Sequence, residues 1–175
     1  MESFILPSKF SWLPGKKPNE RTLVVEPCYF GYGTTLGNAL RRVLLSSLPG
    51  AAATAVKIDG VSHEFSAIAN VHEDVIEILL NLKQLRMKIA TDEPVRLLLE
   101  ASGKREVTAA DITANAEVEI ANPNLHIAAL THKDASLRME IFVRRGRGYS
   151  TTESRPREHQ ELGTMAIDAV LTPIR

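Results

Sequence analysis

Gly31-Tyr32-Gly33-Thr34-Thr35-Leu36-Gly37 is the first stretch whose residue types and spacing suit a chemical task. It lies between a short apolar run and a helical one, and Asp59 closes the next apolar run. Glycines in such a place let a pyrophosphate approach a helix amino terminus, and a carboxylate one strand later holds a ribose. The spacing here is G-x-G-x-x-x-G, one residue longer than that fingerprint, and Pro27-Cys28 interrupts the passage from strand to turn. No further βαβ unit follows. The residues therefore predict an irregular turn at Gly31 and Gly33 and close backbone approach at Gly37, not a nucleotide site.

Two other stretches offer chemistry. His72-Glu73 begins a zinc-protease pattern, but H-E-x-x-H requires a second histidine where Ile76 stands. The five histidines, His63, His72, His126, His132 and His159, include no pair spaced to share a helical face, so no metal is expected. Arg144-Arg145-Gly146-Arg147-Gly148-Tyr149 has the guanidinium groups and the aromatic ring of a nucleic-acid segment. It follows a strand, and Glu153, Glu158 and Glu161 come soon after. A turn leaving a sheet, with arginines meeting protein carboxylates, is the expectation. No serine occupies a G-x-S-x-G elbow, and no set of residues forms a catalytic group.

Composition narrows the classes further. Lys plus Arg and Asp plus Glu are 21 each, where a chain gripping duplex DNA alone would show a basic excess. Zero net charge favours association with other proteins. A hydrophobic share of 44% with 24% charged residues reads as globular and soluble. Cys28, the single cysteine, excludes an internal disulfide framework and points to a reducing compartment, most simply the cytoplasm. The opening residues lack the pattern of a signal peptide, and no apolar run reaches the length of a membrane span.

The elements that must position these residues follow from periodicity. Leu36, Leu40, Val43, Leu44 and Leu48 fall on one face of a helix over residues 34–48, with Asn38, Arg41 and Arg42 elsewhere. Thr34 or Thr35 caps its start and Pro49-Gly50 stops it. A second helix is predicted over 71–85, with Val75, Ile78, Leu79, Leu82 and Leu85 as its stripe. Asn70 is its expected cap, and Glu73 and Asp74 lie in its first turn, where the dipole favours negative charge. Strands are expected over 23–26, 54–59, 95–100, 116–120, 127–130, 137–143 and 164–174, with a mobile polar loop between Gly146 and Gly163. Regular βαβα alternation is absent, so the fold class is α+β. On the first helix, arginines beside an apolar stripe suit bidentate pairs with a partner's carboxylates. Periodicity alone is the same for a core face and an interface.

One long block resolves the choice. Glu26-Pro27 followed by Gly31-Tyr32-Gly33-Thr34-Thr35-Leu36-Gly37-Asn38-Ala39-Leu40-Arg41-Arg42-Val43-Leu44-Leu45-Ser46-Ser47-Leu48-Pro49-Gly50 closely resembles the most characteristic stretch of bacterial RNA polymerase α subunits. Shorter blocks follow in family order: Ile58-Asp59-Gly60-Val61, His63-Glu64-Phe65-Ser66, Glu73-Asp74-Val75-Ile76-Glu77-Ile78-Leu79-Leu80-Asn81-Leu82-Lys83, Val107-Thr108-Ala109-Ala110-Asp111-Ile112, Arg145-Gly146-Arg147-Gly148-Tyr149, Ile167-Asp168-Ala169-Val170 and Pro173-Ile174.

The resemblance implies a dimerisation domain split in sequence, with a mainly β domain inserted into it. Residues 1–49 would begin the dimerisation domain, 50–172 would be the insert that contacts the large subunits, and 173–175 would start the return. Leu36, Leu40, Val43, Leu44 and Leu48 would form a two-fold dimer interface. Arg42 and Leu45 match β-subunit contacts, while Glu77, Lys83, Ile167 and Asp168 match β′ contacts, Ile167 standing where valine is usual. Catalytic magnesium and its carboxylates belong to β′, so no catalytic residue, metal or cofactor is expected in this chain. Family members return into further strands, a long helix, a linker and a promoter-binding domain. The sequence stops as that return begins, so a weakened homodimer and no direct promoter contact are expected.

Overall fold

The computed structural model of the chain describes residues 5–155 and 163–174. Along it run β1 (Lys9–Pro14), β2 (Arg21–Glu26), α1 (Tyr32–Ser47), β3 (Pro49–Ile58), α2 (Val75–Leu82), β4 (Met87–Ile89), β5 (Val95–Ser102), β6 (Arg105–Thr108), β7 (Val118–Ile120), β8 (His126–Leu130), β9 (Ser136–Arg147), β10 (Tyr149–Ser150), β11 (Thr164–Ala166) and β12 (Ala169–Val170). Among the described residues the fold is mainly sheet with two α-helices, the expected α+β class. The chain divides into two compact units within α1, between Val43 and Leu44.

In the first unit β1 and β2 form an antiparallel hairpin, with Trp12 opposite Leu23 and Phe10 opposite Val25. Its turn is closed by the Gly15 N–H donating to the Glu20 carbonyl at 3.0 Å. β1 is not foreseen from the sequence, because six residues ending in proline give too short an alternation to register.

The second unit is built on an antiparallel sheet ordered β11-β3-β9-β5. Period-two alternation decides which side chains it buries. Leu137, Met139, Ile141 and Val143 of β9 are buried, as are Val95, Leu97, Leu99 and Ala101 opposite them on β5. α2 adds Val75, Ile78 and Leu82, all fully buried, to the same core. Its Asn81 amide donates to the Ile127 carbonyl at 3.1 Å, which ties α2 to β8. A bulge in β3 between Ala53 and Ala55 takes Thr54 out of the ladder with β9.

Several expectations change in the fold. α2 begins at Val75 rather than residue 71. Asn70 is no cap: it sits at φ 62°, and the chain after it runs extended beside 129–131. There Val71 bridges Leu130 and the His72 N–H donates to the Ala129 carbonyl at 3.0 Å. Asp74 takes the cap instead, its Oδ1 accepting the Glu77 N–H at 2.8 Å. Glu73 therefore lies outside the helix. α1 begins at Tyr32 and ends at Ser47, so Thr34 and Thr35 are inside its first turn and Leu48 is beyond its end.

The expected loop from Gly146 to Gly163 begins as strand and a turn. β9 continues to Arg147, the chain turns at Gly148 (φ 64°), and β10 follows. Residues 156–162, with Glu158, His159 and Glu161, lie outside the described residues. The single strand expected over 164–174 is two short ones. β11 pairs with β3 and β12 pairs with β10, with Ile167 and Asp168 between them.

Candidate functional site

The glycine stretch does not build a nucleotide site. Among the described residues β2 pairs only with the antiparallel β1, and β3 pairs with β9 and β11, so α1 joins no parallel βαβ unit there. Gly31 makes the expected turn at φ 77°, but Gly33 already lies within α1. Gly37 has open space where a Cβ would stand, so the expected close approach is absent there. Asp59 lies beside Arg138 at 3.8 Å, and Arg138 also pairs with Glu100 at 3.0 Å.

The arginine-rich stretch is strand rather than turn. Arg144 to Arg147 continue β9 against Pro49 to Ala52 of β3, so Arg145 and Arg147 share one face and Arg144 lies on the other. Arg145 meets a carboxylate as expected, Asp92 at 3.1 Å. Tyr149, whose ring the sequence offered to a stacked base, donates its hydroxyl to Asp168.

Among the described residues, no side chain of α1 is buried. Its apolar residues recur at Leu36, Leu40, Val43 and Leu44. Leu40, Val43 and Leu44 are 44%, 55% and 40% exposed, while Leu36, Leu45 and Leu48 are half-buried. Arg42 is exposed on the same helix. A helix with an amphipathic pattern and no buried stripe is a candidate contact surface.

A second arrangement joins α2 to the segment between β11 and β12. Three of the four residues matched to β′ contacts lie together here. Asp168 is one-third exposed and accepts from the Thr152 N–H at 2.8 Å and from the Tyr149 hydroxyl at 3.2 Å; Lys83 Nζ lies 4.0 Å from it. The Thr152 amide, then the Tyr149 hydroxyl and the Lys83 charge, hold its carboxyl below the usual range against the opposing effect of burial. Ile167 is buried in the core, its N–H donating to the Thr54 carbonyl at 2.8 Å. Glu77 lies on α2, exposed beside Ile76 and Leu80. Ile76 and Leu80 are four apart and share the outer face of that helix, and Lys83 caps its end.

Sequence reasoning missed two groups. Arg155 donates from Nε to the Thr151 carbonyl at 3.2 Å, from Nη1 to the Thr54 carbonyl at 2.8 Å, and from Nη2 to the Ile167 carbonyl. The second is a carboxylate pair around His126. Glu73 is 6% exposed and accepts the Ala129 N–H at 2.7 Å and His126 Nε2 at 2.8 Å, while His126 Nδ1 meets Glu106 at 2.8 Å. The hydrogen bond to Glu73 raises the His126 imidazole, with burial opposing and Glu106 adding to it. Burial pushes the Glu73 carboxyl up, but the Ala129 amide and His126 outweigh it and leave it lowered. No local signal announces either group, since their partners are remote in sequence.

Among the described residues, no three His, Cys, Asp or Glu side chains are placed to hold a metal ion. No described helix is long and apolar enough to cross a membrane.

Comparison with known proteins adds two findings. The family described as "RNA polymerase Rpb3/RpoA insert domain" matches residues 56–172. A DNA-directed RNA polymerase subunit alpha from Bacillus velezensis is 54% identical over 151 residues, covering 86% of this chain and 48% of that protein. The chain thus spans about half the length of this relative.

Proposed function

Because the chain belongs to the family of bacterial DNA-directed RNA polymerase α subunits, we propose that it serves transcription as an assembly scaffold of that polymerase. Two copies associate about a two-fold axis through Leu36, Leu40, Val43, Leu44 and Leu48. The pair recruits the β subunit through Arg42 and Leu45, and then β′ through Glu77, Lys83, Ile167 and Asp168. Residues 1–49 and 173–175 belong to a split dimerisation domain, and 50–172 form the insert that meets the large subunits. The chain contributes no catalytic residue or cofactor of its own, and it works in the cytoplasm.

The observation that carries this reading is α1, sixteen residues with an apolar stripe and no buried side chain. Burying each of those apolar side chains against a second copy would contribute about 1.5–3 kcal/mol. The gathering of Lys83, Ile167 and Asp168 supports a second contact surface. The Ile167 side chain is in the core and its N–H and carbonyl are both bonded within the chain, so its part is to hold the backbone beside Asp168.

Co-expression of a tagged form of this chain with its own β subunit, with light scattering of the captured complex, tests the proposal. Two copies with one β are expected, and Arg42→Ala should reduce β capture at unchanged circular dichroism. One copy with β would remove the dimer from the reading. Folded chain that captures no β would refute the scaffold role.

A further inference from the structure

Asp168 is held by a loop, and one side chain, Arg155, ties the far end of that loop to β3 and Ile167. The Thr152 N–H and Tyr149 hydroxyl that fix the Asp168 carboxylate come from β10 and the residues after it. Those residues have little regular structure of their own: β10 pairs with β12 over two residues only. Arg155 supplies the missing anchorage. Its guanidinium reaches carbonyls on three separate pieces of backbone: Thr151 within the loop, Thr54 at the β3 bulge, and Ile167 immediately before Asp168. The bulge makes this possible, because Thr54 leaves the β9 ladder and its carbonyl is free to take both the Ile167 N–H and Arg155.

We infer that Arg155 is a positioning residue for the second contact surface: it clamps residues 151–155 against β3 and Ile167, and so keeps the Thr152 N–H and Tyr149 on the carboxylate that β′ meets. This rests on the proposed scaffold reading for its partner. The acceptors are all main-chain carbonyls, so what the guanidinium fixes is the path of the backbone. A planar fork with five donors suits three divergent carbonyls, whereas a lysine ammonium is a point charge on a flexible stem.

The charge of Arg155 also lies near Asp168, so the test must separate charge from position. Wild type, Arg155→Met and Arg155→Lys are compared in this chain. The Asp168 carboxyl is titrated by carbon-13 NMR, and hydrogen exchange is followed at the Thr152 amide. If Arg155 positions the loop, both variants raise the Asp168 titration midpoint and deprotect Thr152, although Lys keeps the charge. If only the Met variant shifts while Lys behaves as wild type, charge alone is at work and the inference is overturned.

Capture of β′ by the complex of this chain with β gives the second reading. Both variants should weaken it roughly tenfold, leave β capture unchanged, and add no further loss to Asp168→Asn. Full additivity with Asp168→Asn, or wild-type capture by both variants, would overturn the inference. A wild-type chain that binds β but never β′ would defeat the scaffold reading at that surface, while the carboxyl titration would still decide whether Arg155 positions the loop.

Discussion

Replacing Glu73 by glutamine tests the one charged side chain that is buried among the described residues. The substitution keeps size and shape and removes the charge. Hydrogen bonds to charged groups contribute about 1.5–3 kcal/mol and neutral ones about 0.5–1.5, so roughly 1 kcal/mol is lost at the Ala129 N–H. A similar amount is lost at His126, discounted by about half for screening because that side chain is 40% exposed. Near pH 6 the total is about 1.5 kcal/mol, a fall in Tm of roughly 3–6 °C for a chain of this size.

The pH dependence gives the sharper test. His126 is raised in the folded state, so its contribution is complete below the ordinary value of about 6.5 and is lost as pH rises through its folded value. Glu73 is lowered, so its contribution is present above about 4.3 and is lost as pH falls through its folded value. The deficit of Glu73→Gln should therefore be largest between those limits and shrink toward about 1 kcal/mol at pH 9, where the neutral ring no longer brings its charge to the bond. Thermal unfolding followed by circular dichroism at pH 5.5, 7 and 9 measures it. A deficit that is equal at all three, or that grows with pH, would refute the charged bridge between Glu73 and Glu106.

Two further outcomes follow from packing. Leu99→Ala empties a fully buried site on β5 opposite Met139 and should cost about 2–5 kcal/mol, read as a lower denaturant midpoint at unchanged m-value; no change would mean the core closes around the gap. Gly50→Ala places a Cβ against the Leu171 carbonyl oxygen and within 3.2 Å of Pro173, so residues 170–173 must shift at about 1–3 kcal/mol. Unchanged amide shifts for those residues together with an unchanged Tm would refute that contact.

The assembly reading divides its demands between the two kinds of surface. α1 contributes apolar area, whose value is realised only when water is excluded from it. The region around Asp168 contributes charge and hydrogen bonding at a fixed place, which governs selectivity and rate of encounter more than raw affinity. Arg42→Ala and the Arg155 variants thus probe different steps, β capture and β′ capture, and a change confined to one supports their separation.

Sequence by itself determined the elements whose signal is local. Leu137, Met139, Ile141 and Val143 alternate with polar residues and form the buried face of β9. The leucine spacing of α1 and its stop at Pro49-Gly50 are equally legible, and the long block from Gly31 to Gly50 carried the resemblance, while the family match covers residues 56–172. Tertiary structure decided the rest. Whether the α1 stripe is core or free face depends on what lies across from it, and period carries no record of that. The first turn expected of α2 became extended backbone because residues 70–73 found partners at 129–131, and those hydrogen bonds outweigh the weak helical preference of three residues. Glu73 and His126 are 53 positions apart and Arg155 and Thr54 are 101 apart, so only the folded path of the chain brings them together.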